Sequence, residues 1–204
     1  IDDEEIVKTP SALDRTREPS AGPEPTVNTP DVWKTTLKNG IKIYGITNIE
    51  LPLITTSLTI DGGILQDDIS MPGVASMVAA VMPQGTRNKT PEELEEETEL
   101  LGSAINLSAG REELYFNLST LSRNFNKTIS LLKEMILEPR WDSTEFVLAK
   151  TRTRNRIIQA EADPSRVAGL AFNKLIYGSD HIFGYNSMGT RESIEKMTLD
   201  HLRD

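Results

Sequence analysis

The chain holds few residues whose type and spacing could support catalysis. Of its two histidines, His181 lies in a predicted loop and His201 lies near the end of a predicted helix. A zinc site needs several nitrogen, sulfur or carboxylate ligands brought together, and neither histidine has a second one at a spacing that would bind the same metal. The sequence therefore favours a structural role for His181 and a solvated position for His201.

Nucleophilic and phosphate-binding motifs are also absent from the sequence. The chain has no cysteine, so disulfides and thiol chemistry are excluded. Serines are plentiful, but none lies in a G-x-S-x-G turn, and no histidine partner is evident. Neither G-x-x-x-x-G-K nor G-x-G-x-x-G occurs, and the Gly62-Gly63 pair reads as a turn.

The stretch GVASMVAAVMPQGT at 73–86 is informative for the residues that it lacks. It predicts an apolar helix that follows Pro72, ends at Pro83 and is succeeded by a Gly-Thr pair. Taken alone, this pattern is typical of a buried core helix. The strand before it ends in an Asp-Gly-Gly turn, and this order of elements suggests a more specific interpretation.

The segment resembles the part of insulinase (pitrilysin) family zinc peptidases that carries the inverted motif H-x-x-E-H. In that motif two histidines on one helix face bind zinc, and the glutamate beside them is the base. The motif positions here are Ser76, Ala79 and Ala80. None of the three is a credible zinc ligand or general base, so the resemblance implies a site that has lost its chemistry.

Later segments carry the same resemblance. The family's third zinc ligand is a glutamate on a helix far downstream, and the family spacing leads here to Arg156, with Ile157 and Asp163-Pro164 holding the register. The tail is the most specific match. YGSDHIFG followed by MGTRESI resembles the family's F-G-x-x-H-P-x-G and G-T-x-E-x-I segments, with Ile182 where proline is usual. The resemblance covers about residues 32–204.

The resemblance implies a non-catalytic domain of an insulinase-family zinc metalloendopeptidase, from a tandem bacterial protein. The domain would form part of a chamber wall and peptide-binding surface, while an active copy, in the same polypeptide or a partner subunit, supplies zinc and hydrolysis. We expect no metal or cofactor in this chain, and a peptide or protein substrate. Two alternatives remain open: a structural or assembly subunit without peptidase association, and a stand-alone peptide-binding module.

Composition and charge narrow the possible partners. The formal net charge of the 204 residues is −9, which argues against nucleic acid because the phosphates would be repelled. An acidic inner wall would favour basic peptides. No apolar run approaches the roughly 18 residues of a membrane span. By analogy with large tandem members of the family, we expect the bacterial periplasm or cell envelope, with the cytoplasm as the alternative.

Hydrophobic periodicity predicts an α+β fold, with helices packed on an antiparallel sheet of about five or six strands. A hairpin is predicted around Asn39-Gly40, and further strands at 53–60, 104–109 and 114–121. Helices are predicted at 74–82, 91–101, 122–137, 142–160 and 164–177, with a last one from about 190. The 104–109 edge is the candidate for binding an extended peptide by strand addition.

The first 31 residues differ in kind from the rest. They hold five of the eleven prolines, many charges and few large apolar side chains. Such a segment buries too little surface to offset its ordering entropy. We predict that 1–31 is a proline-rich interdomain linker and that 32–204 is one domain lacking the zinc motif. Because the chain starts without methionine and stops within a helical pattern, we expect it to be part of a longer polypeptide.

Overall fold

The computed structural model describes residues 16, 18, 22–24, 26 and 29–203. It separates into two units, Ile1–Ile49 and Glu50–Asp204. Most of the predicted linker at 1–31 lies outside the described residues, so its linker character stays a prediction.

The first unit contains the predicted hairpin. Strand β1 (Val32–Thr36) pairs antiparallel with β2 (Lys42–Ile46). The turn between them places Gly40 at φ 89°, in the left-handed region that glycine adopts without a Cβ penalty. The Asn-Gly signal therefore identified both the hairpin and its turn.

The second unit is built on a three-stranded antiparallel sheet. Its strands are β3 (Leu53–Asp61), β4 (Ala104–Ala109) and β5 (Glu113–Leu121), in the spatial order β3-β5-β4. The α+β class is as predicted. The five strands of the described residues form two sheets rather than one, because β1 and β2 pair only with each other.

The described part of the second unit contains six α-helices, of which α1, α2 and α3 contact the strands of this sheet. They are α1 (Val74–Val81), α2 (Pro91–Leu100), α3 (Phe125–Leu137), α4 (Ser143–Glu161), α5 (Pro164–Tyr177) and α6 (Arg191–Lys196). Side-chain caps fix several starts. Thr90 and Glu93 form a capping box at α2, and Asp142 and Asp163 each accept two backbone N–H groups at α4 and α5. The starts predicted from the sequence, at residues 91, 142 and 164, lie within one residue of the observed ones.

Helices α1 and α4 share the largest part of the core. Met77 and Val81 of α1 are fully buried and cluster with Phe146, Ala149 and Ile157 of α4. A second cluster, of Phe116, Leu118 and Leu132, joins the sheet to α3. The interior therefore holds α1 against α4, the helix that carries Arg156.

Helix α5 differs from the others because none of its fourteen residues is buried. Leu175 is 86% exposed, and Phe172 is 61% exposed. Within the described residues, no helix combines the length and apolar character needed to cross a bilayer.

Candidate functional site

A half-buried carboxylate, that of Asp67, sets the start of α1. The two oxygens of Asp67 accept the N–H groups of Gly73 and Ala75, each at 2.8 Å. Burial raises the pKa of Asp67, although these backbone hydrogen bonds act in the opposite direction. Gly73 has φ 99°, and a Cβ there would lie 2.6 Å from the carbonyl oxygen of Met188. The helix start is therefore covered closely by the tail segment.

Side-chain hydroxyls hold this tail against α1. Ser193 Oγ donates to the carbonyl oxygen of Pro72 at 2.8 Å, and Ser76 Oγ donates to the carbonyl oxygen of Ser187 at 2.7 Å. Ser76, at the first motif position, thus donates a hydrogen bond to the backbone of the tail. It ties α1 to Ser187, which lies between the two tail segments that carry the resemblance.

The other two α1 positions carry only methyl groups. Ala79 is half-buried and Ala80 is exposed. An alanine side chain has no atom that can bind a metal or accept a proton. Positions 76, 79 and 80 therefore do not form a set of zinc ligands.

Arg156 lies on α4 and is exposed. The next residue, Ile157, is 2% exposed and packs in the cluster that contains Met77 and Val81. The structure thus places α1, which carries residues 76, 79 and 80, against α4, which carries Arg156. An arginine side chain is cationic and has no acceptor, so it does not replace a ligating carboxylate.

A cleft of about 910 Å³ opens beside Arg156. It lies between the β4–β5 turn, helices α4 and α5, and the segment 182–188. Its lining combines aromatic rings with charged groups, including Arg111, Arg156, Glu161, Arg166, Tyr177 and Phe183. The sequence analysis singled out Arg156 as a motif position and quoted Tyr177 and Phe183 in a family segment, but it did not bring them together, because the cleft assembles from segments far apart in the chain.

The charges of the cleft are not balanced. Arg166 pairs with Asp163 at 3.5 Å, and Glu161 pairs with Arg191, which does not line the cleft. Among the described residues, neither Arg111 nor Arg156 has a carboxylate partner. Two arginines therefore face the cleft with their charge uncompensated.

The two histidines have structural contacts. His181 Nδ1 accepts the N–H of Phe183 at 3.1 Å, and its ring lies 5.4 Å from the Tyr177 ring, between centroids. His201 Nδ1 accepts the N–H of Thr198 at 3.0 Å, and the residue is exposed. These positions agree with the roles expected from the sequence.

The residues at the motif positions do not fit a zinc ion. Within the described part of the chain, no three histidine, aspartate, glutamate or cysteine side chains converge as metal ligands would. At the motif itself, the Ser76 hydroxyl already donates to a backbone carbonyl and Arg156 contributes a positive charge. We therefore derive no catalytic step through a metal in this chain.

Comparison with known proteins identifies a family and several similar proteins. The sequence model of the family described as Insulinase (Peptidase family M16) matches residues 50–181. A non-peptidase homolog, YmxG, of Helicobacter pylori is 26% identical over 153 residues, which cover 75% of this chain and 35% of that protein. An uncharacterized zinc protease, YmxG, of Bacillus subtilis is 23% identical over 168 residues, covering 82% of this chain and 41% of that protein.

Solved structures share the fold. The crystal structure of a peptidase M16 inactive domain from Pseudomonas fluorescens superposes with a TM-score of 0.79 at 24% identity, covering 85% of this chain and 42% of that one. The periplasmic protease PqqL from Escherichia coli gives a TM-score of 0.72 at 17% identity, covering 87% and 21%. The chain thus spans less than half the length of each protein described here.

Proposed function

The chain belongs to the insulinase family, peptidase family M16, whose sequence model matches residues 50–181, and we propose that it is a non-catalytic domain of a zinc metalloendopeptidase. In this proposal it forms part of the chamber wall and the peptide-binding surface. An active copy, in the same polypeptide or a partner subunit, supplies zinc and hydrolysis.

One observation carries the proposal. The helices of the former site are packed together, yet the four motif positions hold Ser76, Ala79, Ala80 and Arg156. A catalytic zinc site keeps three protein ligands and an open position for water, and these residues provide neither the ligands nor the base. The scaffold is retained without the groups that perform hydrolysis.

The surface around the former site supports a role in peptide binding. Strand β4 is an edge of the three-stranded sheet, and edge strands bind extended peptides through main-chain hydrogen bonds. Ala109, the last residue of β4, lines the cleft. A peptide paired along β4 would therefore run toward the aromatic and charged groups of the cleft.

The names of similar proteins support the same proposal. One relative is called a non-peptidase homolog, and one solved structure is an inactive domain. Another solved structure is a periplasmic protease. We propose an exported compartment, the periplasm or cell envelope, for this chain as well.

The partnership can be tested by isolating the native assembly through an affinity tag on this chain. We expect it to contain an intact H-x-x-E-H sequence, in the same polypeptide or a second subunit, to hydrolyse peptides, and to lose that activity when a chelator removes zinc. As a control, a glutamate-to-glutamine change in that motif should abolish hydrolysis and leave the assembly intact.

An assembly without any zinc peptidase, isolated intact and inactive on peptides, would contradict the proposal. It would instead favour a structural subunit or a stand-alone peptide-binding module.

A further inference from the structure

The cleft presents a positive surface on a chain that is strongly negative overall. Three arginines and one glutamate line it, and the glutamate is paired with Arg191, outside the lining. The nearby Asp163 pairs with Arg166. The two cations left over, Arg111 and Arg156, approach the cleft from different elements, the β4–β5 turn and α4.

The position of Arg111 is fixed by the turn that follows β3. Its carbonyl oxygen accepts the N–H of Leu65 at 2.8 Å. Gly63 approaches so closely that a Cβ there would lie 2.7 Å from the Arg111 carbonyl oxygen. The guanidinium lies 5.1 Å from the centroid of the Phe183 ring, a cation–π contact that orients it within the cleft.

The position of Arg156 is fixed by its helix. Ile157 anchors α4 in the core, and Ala160, one turn after Arg156, is 6% exposed and also lines the cleft. Because these two buried residues hold the helix backbone in place, only the Arg156 side chain has to be ordered when a ligand binds. Arginine presents planar donors that match the two oxygens of a carboxylate.

From these observations we propose that the cleft binds a peptide carboxylate between Arg111 and Arg156, so that the domain selects acidic peptides. The inference rests on the proposed function in one respect, that the ligand is a peptide. The aromatic rings of Tyr177 and Phe183 suit an apolar side chain beside the acidic group. An acidic inner wall was expected to favour basic peptides, whereas the charges that line this cleft favour the opposite class.

Calorimetric titration of the full chain, at low ionic strength, tests this inference. The probe is a short peptide, blocked at both ends, with two glutamates among apolar residues, and the matched peptide has glutamine in their place. We expect the glutamate peptide to bind about tenfold more tightly, and its affinity to fall as salt is added. A third peptide, with uncharged side chains, a blocked N-terminus and a free C-terminus, distinguishes an α-carboxylate from a side-chain carboxylate, and tighter binding of either acid than of the blocked glutamine peptide supports the inference.

Variants locate the binding site. Arg111→Gln and Arg156→Gln should each weaken binding of the better acidic peptide by about tenfold. Arg154→Gln is the matched control, because Arg154 is exposed on the same helix but does not line the cleft. It should leave the affinity unchanged. Circular dichroism melting of each variant checks that the fold is retained.

Three results would overturn the inference: equal affinity for acidic and neutral peptides, no measurable binding, or equal losses in the Arg154 control and the cleft variants. Equal binding of acidic and neutral peptides would leave the proposed peptide-binding role standing, so the two failures can be told apart.

Discussion

At the scale of single residues, the Gly-Thr step after α1 shows how side chains hold the turn that leaves this helix. Thr86 is fully buried, and its Oγ1 donates to Glu134 of α3 at 2.7 Å. Asn88 Nδ2 donates to the same carboxylate oxygen at 2.9 Å, and Lys89 Nζ lies 3.4 Å from the other oxygen. One carboxylate thus anchors the whole turn that leaves α1.

The carboxylate of Glu134 should make stability depend on pH. The hydrogen bond from Thr86 is the main cause that holds the pKa of Glu134 below its ordinary value of 4.5. Because this pKa is lowered in the folded state, the ionised carboxylate of Glu134 stabilises the fold fully above pH 4.5. That contribution to the free energy of unfolding is lost as the pH falls through the lowered pKa. We expect Glu134→Gln to lower the free energy of unfolding by about 1–2 kcal/mol at pH 7, measured by urea denaturation.

Glu138→Gln is the control for this measurement. Glu138 follows the last residue of α3, its side chain is 44% exposed, and its oxygen lies 3.8 Å from Arg87. Exposed pairs of this kind contribute roughly 0–1 kcal/mol, so the control should change little. A deficit of Glu134→Gln that stays constant down to pH 3 would show that the charge of the carboxylate has no part in it.

At the scale of elements, we predict that a glycine-to-alanine substitution has opposite effects on stability at two positions. Gly73 starts α1 at φ 99°, with the Met188 carbonyl oxygen where a Cβ would lie. Gly169 lies within α5, and a Cβ there would meet nothing within 4 Å. We expect Gly73→Ala to destabilise the chain by about 2 kcal/mol or more, and Gly169→Ala to stabilise it by about 0.5–1 kcal/mol.

Each glycine serves as the control for the other, since both changes add one methyl group. Thermal unfolding followed by circular dichroism measures both. If Gly73→Ala melted at the same temperature as the unaltered chain, the result would contradict the close contact between the tail and the start of α1.

The elements also show what the sequence could predict. The helix starts near residues 91, 142 and 164 were predicted, because the signals for a helix start lie within one turn of it. The division of the strands into two sheets was not predicted, because strand pairing joins residues that are distant in sequence. Arg156 was found through its spacing from the motif, whereas Arg111 was missed. Its place in the cleft depends on how the β4–β5 turn approaches α4 and α5, which no local pattern reports.

At the scale of the whole molecule, net charge and local charge point to different ligands. The glutamates at 92–99 contribute strongly to the net charge, yet none of them lines the cleft. A ligand approaching from a distance meets a negative molecule, whereas a ligand inside the cleft meets two unpaired arginines. Specificity for acidic peptides would therefore arise at short range, where water is partly displaced and charges interact more strongly.

The second unit should fold without the first. In the described part of the chain, every buried hydrophobic residue lies between Ala75 and Leu202. We expect a chain of residues 50–204 to unfold in one cooperative transition, within about 4 °C of the full chain, which is roughly 1 kcal/mol for a domain of this size. Differential scanning calorimetry measures this.

The boundary predicted from the sequence, at residue 32, is tested by the same experiment. If a chain of residues 32–204 kept the full stability while residues 50–204 lost the cooperative transition, the β1–β2 hairpin would belong to the folding unit. That result would contradict our expectation for the shorter chain and support the sequence-based boundary.

The central claim, that the positions matching the family's zinc motif do not bind zinc, is tested most directly by metal analysis. The chain, purified without a histidine tag, is dialysed against zinc at neutral pH and then against metal-free buffer. We predict a zinc content indistinguishable from the buffer, and no change in Ser76→Ala or Arg156→Gln. Close to one zinc per chain, lost in either variant, would contradict the account.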